Sequence, residues 1–340
     1  MTRIRWAKER DWRRPEGIPE GSVLSVFRVP PEVAGQRVDV FLQSQLKRTS
    51  RTRAQFIVRN SAYDEKGRRV RPGERVQAHQ HVLLWRPPWD ETPVPTEIPV
   101  LYEDEHLLAV CKPAGLPVHP PARYHKNTVI KLLELARPEQ WLSLGHRIDR
   151  ETSGVLLLSK NAECDRELKK ALEARDGIEK TYEAITWGIP RGGAAEFRVD
   201  EPLELDPTSK TKVKMRIGIT PEALEAATIF RLVATARRDD RDYARLRCEL
   251  LTGRQHQIRV HLASVGTPIV GDKLYGPDEE LFARGADGEL TEEDLVELEH
   301  PRHALHAARL ALTHPITRVP LVIEAPLPAD LEDLWNGIAC

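Results

Sequence analysis

Apolar residues recur at two different periods along this chain, and the places where the period changes mark its elements. Val38, Phe41, Leu42 and Leu46 fall at helical spacing, and Ser50-Arg51-Thr52-Arg53-Ala54-Gln55-Phe56-Ile57 opens a second helix with Thr49 or Ser50 as its cap. Tyr63 to Val70 predicts a turn and hairpin, and Pro72-Gly73-Glu74 turns the chain into a closing strand from His81 to Trp85. Further on, strand patterns dominate. Leu107 to Cys111, Val155 to Leu158, Thr181 to Trp187, Ala195 to Val199, Lys212 to Ile217, Ala227 to Ala234, Tyr243 to Leu251, Leu305 to Leu312 and Leu321 to Ala325 all predict strands. Helices are expected near Val129–Leu135 and over Ala162–Ala174, the latter with Leu168, Ala171 and Leu172 inward and Gly177 ending it. A third follows Gly253, where Ile258, Leu262 and Val265 form the buried stripe and Arg259 stands at its margin. Glu279 to Glu299 is acidic and weakly patterned, as in a surface helix or insertion.

These elements divide at one place. Arg86-Pro87-Pro88-Trp89-Asp90-Glu91-Thr92-Pro93-Val94-Pro95 holds four prolines in ten residues, which favours an extended spacer over helix or central strand. The expected organisation is a basic arm at 1–22, a small folded module at 23–85, a linker at 86–97 and a larger domain at 98–340.

Charge sharpens this division. The net charge of −1 averages unlike parts: residues 1–85 carry 18 Lys+Arg against 9 Asp+Glu, and the remainder 33 against 43. A basic block of that size points to a polyanionic partner, most simply nucleic acid. In the arm, Arg3, Arg5, Lys8, Arg10, Arg13 and Arg14 accompany Trp6 and Trp12, which could stack on bases or simply pack on the body. Arg51, Arg53 and Arg59 on the second helix, with Arg68, Arg69 and Arg71 on the hairpin, offer phosphate contacts. Charged residues at 30% and hydrophobic ones at 40% describe a water-soluble chain, expected in the cytoplasm. It has no bilayer-length apolar run and no secretory signal pattern at Met1. Cys111, Cys164, Cys248 and Cys340 are scattered, so neither disulfide nor zinc is expected.

Two stretches have residue types suited to chemistry. Gly145-His146-Arg147-Ile148-Asp149-Arg150-Glu151-Thr152-Ser153-Gly154 reads as a shaped loop leading into a buried strand, the kind of support that holds a catalytic group still. Taken alone, Asp149 is better explained as a turn residue bonding nearby backbone N–H groups. Gly253-Arg254-Gln255-His256-Gln257-Ile258-Arg259-Val260-His261-Leu262 is the second, where a half-buried Arg259 would need a carboxylate.

His146-Arg-Ile-Asp149-Arg-x-Thr152-Ser-Gly154 and Thr252-Gly-Arg-x-His-Gln-Ile-Arg259-x-His261 resemble the signatures of RluA-type RNA pseudouridine synthases. Glu103-Asp104 through Lys112-Pro-Ala-Gly-Leu-Pro-Val-His-Pro120, Lys180-Thr-Tyr182, Gly266 through Asp272-x-x-Tyr-Gly276, and Leu305-His306 resemble further family motifs, in order. Residues 23–85 resemble the alpha-L RNA-binding module through Arg37-Val-Asp39, the Ser50–Ile57 helix and the Gly73-Glu-x-Val76 turn. The resemblance implies an α+β fold, with a mixed, mainly antiparallel sheet in the catalytic domain and a small α/β RNA-binding module before it. It implies an isomerase that detaches uracil from ribose, turns it and rejoins it through carbon 5, with no cofactor, no metal and no membrane partner. Asp149 would be the essential carboxylate, Tyr182 would pack on the base and Arg259 would pair with Asp149. Arg147 would fill the place vacated in the RNA, while His146, Arg254 and Lys112, with Arg51 and Arg53 of the module, would contact RNA. The expected substrate is large-subunit ribosomal RNA and the expected state a monomer. The alternatives are a tRNA enzyme or a silent RNA-binding assembly factor on the same fold.

Overall fold

The computed structural model describes residues 12–46, 49–87, 91–119, 126–174 and 177–339. The basic positions Arg3, Arg5, Lys8 and Arg10, and Trp6, lie outside them. The chain forms two compact units, Met1–Asp90 and Glu91–Cys340.

In the first unit, β1 (Val23–Arg28), α1 (Val38–Gln45), α2 (Arg51–Ser61), β2 (Ala62–Tyr63) and β3 (His81–Arg86) follow in order, with β3 in the middle of an antiparallel sheet β1-β3-β2. Ser50 caps α2 by accepting from the Arg53 N–H at 3.2 Å. The helix turns Ala54 and Val58 inward and leaves Arg51, Arg53 and Arg59 exposed. Its inner face meets Phe41, Leu42, Val82 and Leu84, each worth roughly 1.5–3 kcal/mol when fully buried. Asp39 is wholly buried on α1, yet its carboxylate accepts from Arg37 twice at 2.9 Å and from Gln55 at 2.8 Å, tying α1 to α2. The Arg37 hydrogen bond outweighs burial and holds this carboxyl down to about 2. Trp12 packs with Ile18 on Tyr63, Leu83 and Trp85.

The second unit runs β4 (Val100–Glu103), β5 (Leu107–Lys112), α3 (Val129–Ala136), β6 (Ser143–Leu144), β7 (Ser153–Ser159), α4 (Ala162–Ala174), β8 (Glu179–Trp187) and β9 (Glu196–Val199). Then come β10 (Leu203–Leu205), β11 (Met215–Ile217), β12 (Thr228–Arg238), β13 (Arg241–Leu250), α5 (Gln257–Ser264), α6 (Glu280–Asp287), α7 (Glu292–Leu298), β14 (Leu305–Thr313), β15 (Pro320–Glu324) and α8 (Ala329–Ala339). Ten strands make one sheet in the order β4-β5-β7-β14-β8-β13-β12-β9, with β15 beside β14 and β6 beside β7. Every pairing is antiparallel except β7 with β14, which is parallel and two residues long. The apolar run of β7 follows from cover on both faces. Leu156 and Leu158 join Val129 and Leu133 of α3, whereas Val155 and Leu157 join Cys164 and Leu168 of α4.

Gly154 makes the β7–β14 seam possible. Its φ is +109°, and a Cβ there would lie 2.2 Å from the Ala307 carbonyl oxygen, so only glycine fits.

The structure departs from the sequence reading in several places. Residues 91–97, expected as spacer, are fastened to the second unit: the Glu91 carboxylate accepts from the Lys126 and Asn127 N–H groups, and Val94 packs on the core. α5 is not a one-stripe helix, because Gln257 through Leu262 are all buried. The acidic segment is two helices, the second closed by a capping box between Thr291 and Asp294. The C-terminal helix α8 carried no sequence expectation, although it puts Leu331, Leu334 and Ile338 into the main core.

Candidate active site

The loop between β6 and β7 presents Asp149, and both of its flanks are tied down. Gly145 donates to the Leu157 carbonyl at 2.9 Å, and the Leu157 N–H donates to His146 Nε2 at 3.2 Å. On the far side the Arg150 carbonyl accepts from the Gly115 N–H at 2.8 Å and from the Lys112 ammonium at 2.9 Å. Glu151 is gripped by Lys273 at 2.9 and 3.0 Å, and Thr152 meets His303 at 2.8 Å. A carboxylate held between such anchors keeps its direction when its neighbours change.

Arg259 of α5 faces that carboxylate. Its Nη1 donates to Asp149 Oδ2 at 2.9 Å, while Nε and Nη2 donate to the two oxygens of Asp272 at 2.7 and 2.8 Å. Asp272 is fully buried and also accepts from the Leu274 and Tyr275 N–H groups at 2.9 and 3.0 Å. Gly271 brings it there: φ is +76°, and a Cβ would lie 2.1 Å from the Arg302 carbonyl oxygen. The Tyr275 ring lies 5.0 Å from the guanidinium carbon. One guanidinium thus serves two carboxylates, one locked in the core and one at the cavity.

Burial works against ionisation of Asp149, and Arg259, joined by His256 and His303 once these protonate at low pH, overcomes it, holding the carboxyl down to about 2. Burial drives His256 to about 4 and His303 to about 3, so both are neutral at neutral pH and Arg259 is the charge that remains. Arg259 is held above its ordinary range: burial opposes its charge, and Asp272 and then Asp149 overcome that.

A cavity of about 220 Å³ opens at this point, lined by Arg147, Asp149, Tyr182, Arg254, His256 and Leu305 among others. Pockets for drug-sized molecules run to roughly 300–1,000 Å³, so this one suits a single flat ring. Tyr182 sits on β8, opposite Cys248 of β13 and Ala307 of β14, which fixes its place under the cavity. Burial and then the Asp149 charge push its phenol upward, so it is a neutral O–H. The Arg147 guanidinium is exposed on the rim and, among the described residues, has no hydrogen bond or ion pair. Arg254 is half-buried beside it and donates to the Glu225 carbonyl at 3.0 Å.

Two expected RNA contacts have other surroundings. Lys112 is 0% exposed, and its ammonium donates to the carbonyls of Pro113, Leu116 and Arg150 at 2.7, 2.9 and 2.9 Å. Burial lowers it to about 7, and it cannot reach a phosphate without leaving the Pro113 and Leu116 carbonyls bare. His146 is spent on the Leu157 N–H, and burial takes it to about 3, so it pins the loop as a neutral ring. In the first unit, Arg51 and Arg53 are exposed on α2, the former 3.8 Å from Asp39 and the latter over the Phe56 ring at 5.1 Å.

Asp272 and Tyr275 carried no role in the sequence reading, although both lie inside a quoted motif. The usable signal was Arg259 itself, since a guanidinium sunk that deep needs more than one carboxylate. Glu151, which the Lys273 ammonium holds, likewise carried no role in the sequence reading. Among the described residues no three His, Cys, Asp or Glu gather as metal ligands would, and no helix is long and apolar enough to cross a membrane.

Residues 106–264 match the family model described as RNA pseudouridylate synthase. A Xanthomonas campestris pv. campestris protein named ribosomal large subunit pseudouridine synthase D is 34% identical over 329 residues, covering 94% of each chain. A Yersinia pestis protein of the same name is 33% identical over 312 residues, covering 89% of this chain and 91% of its own. Among solved structures, human RNA pseudouridylate synthase domain containing 4 superposes with a TM-score of 0.53 at 24% identity, covering 71% of this chain and 92% of its own, a likeness of fold. With Asp149, Tyr182 and Arg259 gathered on one cavity of that fold, and relatives matched along nearly the whole chain, this protein belongs to the RluA-type family of RNA pseudouridine synthases.

Proposed function

We propose that this protein isomerises uridine to pseudouridine in large-subunit ribosomal RNA. The observation that carries this reading is an ionised carboxylate, Asp149, on the wall of a cavity of one-ring size and within hydrogen-bond reach of a buried guanidinium. The target follows from the relatives, which are named for the large ribosomal subunit and match at 31–34% identity.

The uridine leaves its stack at a cost of roughly a few kcal/mol, and contacts made in the cavity offset it. Asp149 then acts as an anion, either adding to carbon 1′ as a nucleophile or taking a proton from carbon 2′ to give a glycal-type intermediate. Arg259 fixes its orientation and keeps it charged inside a drying pocket. Tyr182 lies against the base, with its hydroxyl free to take part in proton movement. Arg147 occupies the place the uridine leaves, and Arg254 steadies the neighbouring backbone. Arg51 and Arg53 supply phosphate contacts from residues 23–85, which act as the RNA-binding module. The reaction is an isomerisation, so it needs no cofactor, and the enzyme works in the cytoplasm as a monomer.

The test is to map pseudouridines in large-subunit ribosomal RNA from cells lacking the gene and to restore it as wild type or as Asp149→Ala. Sites should disappear on deletion, return with the wild type and stay absent with the variant, which should still bind RNA. Restoration by Asp149→Ala would refute the role of that carboxylate, and an unchanged map would refute the target.

A further inference from the structure

His256 lines the cavity and has no part in the mechanism above. It stands at the start of α5 in the left-handed backbone region, with φ 56°, where a residue with a large side chain stays only if its surroundings impose it. One side of its ring is fixed. Nδ1 lies 2.8 Å from the Tyr275 hydroxyl, and that hydroxyl also accepts the Met215 N–H at 2.8 Å. Tyr275 is a neutral phenol, kept so mainly by burial, and it has one proton to give. With the phenol donating to Nδ1 the buried phenol O–H is satisfied, and the ring's own proton lies on Nε2, the nitrogen that faces the Asp149 carboxylate. Nε2 lies 3.8 Å from Asp149 Oδ2, beyond hydrogen-bond length, and makes no hydrogen bond among the described residues. The groups around the ring are Arg259, Asp149, Asp272 and Arg147, and burial keeps the imidazole neutral among them. The result is a donor of fixed tautomer, aimed beside the reacting carboxylate and unoccupied.

We infer that His256 is a catalytic residue whose Nε2–H donates to a carbonyl oxygen of the uracil as the glycosidic bond breaks. This rests on the function proposed above. Heterolysis leaves the bonding pair on the base, so uracil departs as an anion whose charge spreads from N1 onto its carbonyl oxygens. Asp149 meets the deficit at the sugar. No proton passes to His256, which only stabilises the charge. When carbon 5 bonds to carbon 1′, the pair re-enters that bond, and the proton lost from carbon 5 is matched by one gained at N1. A donor already oriented in a water-poor site stabilises such charge more than water does, because it need not reorganise.

The experiment compares full-length wild type with His256→Phe, His256→Gln and Tyr275→Phe in single-turnover reactions on one RNA. The ring tautomer is read by ¹⁵N NMR, the His256 signal being identified by its loss in His256→Phe. Removing a donor to developing charge costs about 10²–10³-fold in rate. His256→Phe should fall by that order with RNA affinity unchanged, and His256→Gln, which keeps an N–H, should recover part of the loss. Tyr275→Phe should lie between, with both tautomers present. An electron-withdrawing substituent on carbon 5 makes uracil a better leaving group, so glycosidic cleavage of such a substrate should show a smaller His256→Phe deficit. Equal deficits on both substrates, full activity in His256→Phe, or an Nδ1–H tautomer in the wild type would each overturn the role. A wild type that makes no pseudouridine overturns the function and this role with it, whereas an active wild type matched by His256→Phe overturns this role alone.

Discussion

Replacing Asp272 by asparagine should cost the fold more than it costs any other part of the molecule. Arg259 spends two of its hydrogen bonds on Asp272, at 2.7 and 2.8 Å, and one on Asp149 at 2.9 Å. Arg259 is only 4% exposed, so its charge has no route to solvent when Asp272 is neutralised. Breaking one side of a buried ion pair costs about 3–5 kcal/mol, and the remaining amide oxygen and the Asp149 contact put Asp272→Asn toward the lower end. Each kcal/mol moves Tm by roughly 2–4 °C in a domain of this size, giving a fall of about 6–12 °C. Asp149→Asn is the control. There Arg259 keeps its two-bond partner, and Tm should fall by clearly less than in Asp272→Asn while activity disappears. Thermal denaturation followed by circular dichroism, beside a pseudouridine assay, separates the two. An Asp272→Asn protein with the parental Tm, or an Asp149→Asn protein that loses as much, would refute the division of the guanidinium between a core partner and a reacting one.

The pH dependence should have no acid limb near neutrality. Asp149 is held at about 2, below the ordinary 3.8, and His256 stays neutral down to about 4, so activity persists as pH falls to about 4; an apparent pKa near 6 in single-turnover rates would contradict this. The stability that Asp39 and Asp149 contribute by their lowered pKa values is full above about 4 and drains as pH drops toward 2, which acid unfolding can follow. Lys112→Ala should destabilise by about 1–3 kcal/mol for each carbonyl left without a donor, without changing the salt slope of RNA binding; a reduced slope with unchanged Tm would return Lys112 to the RNA surface. Arg51→Ala with Arg53→Ala should lower the salt slope by about one per lost phosphate contact at unchanged Tm, and an unchanged slope would remove that face of α2 from the interface.

The elements and the reacting pair were readable because both depend on short-range patterns. β7 announced itself as a continuous apolar run, and α4 as a stripe ending at Gly177. Asp149 and Arg259 sit in stretches whose mixture of glycine, charge and apolar neighbours is unlike ordinary loop or helix. What escaped depends on the return path of the chain. Lys112 looks like a surface cation until residues 113–116 fold back and aim two carbonyls at its ammonium. α5 looked amphipathic because three of its residues form a stripe, but its polar Gln257 and His261 are also buried, each meeting Thr228 at 2.9 Å. Asp272 lies thirteen positions past Arg259, beyond a turn set by Gly271, and no local pattern links the two. Trp12 could equally stack or pack, and its packing is set by a cluster of three distant residues.

Sharing Arg259 between two aspartates leaves that end of the pocket with one cation against two anions. The floor around Arg259 is therefore net negative, while Arg147 and Arg254, which also line the cavity, have no carboxylate partner among the described residues. A nucleotide has a neutral end and an anionic end, and this layout treats them differently. The base meets no electrostatic barrier on entering, whereas a phosphate is repelled from the floor and drawn to the edge. The pocket thus sorts the two ends of its substrate by charge before any atom of the base is recognised.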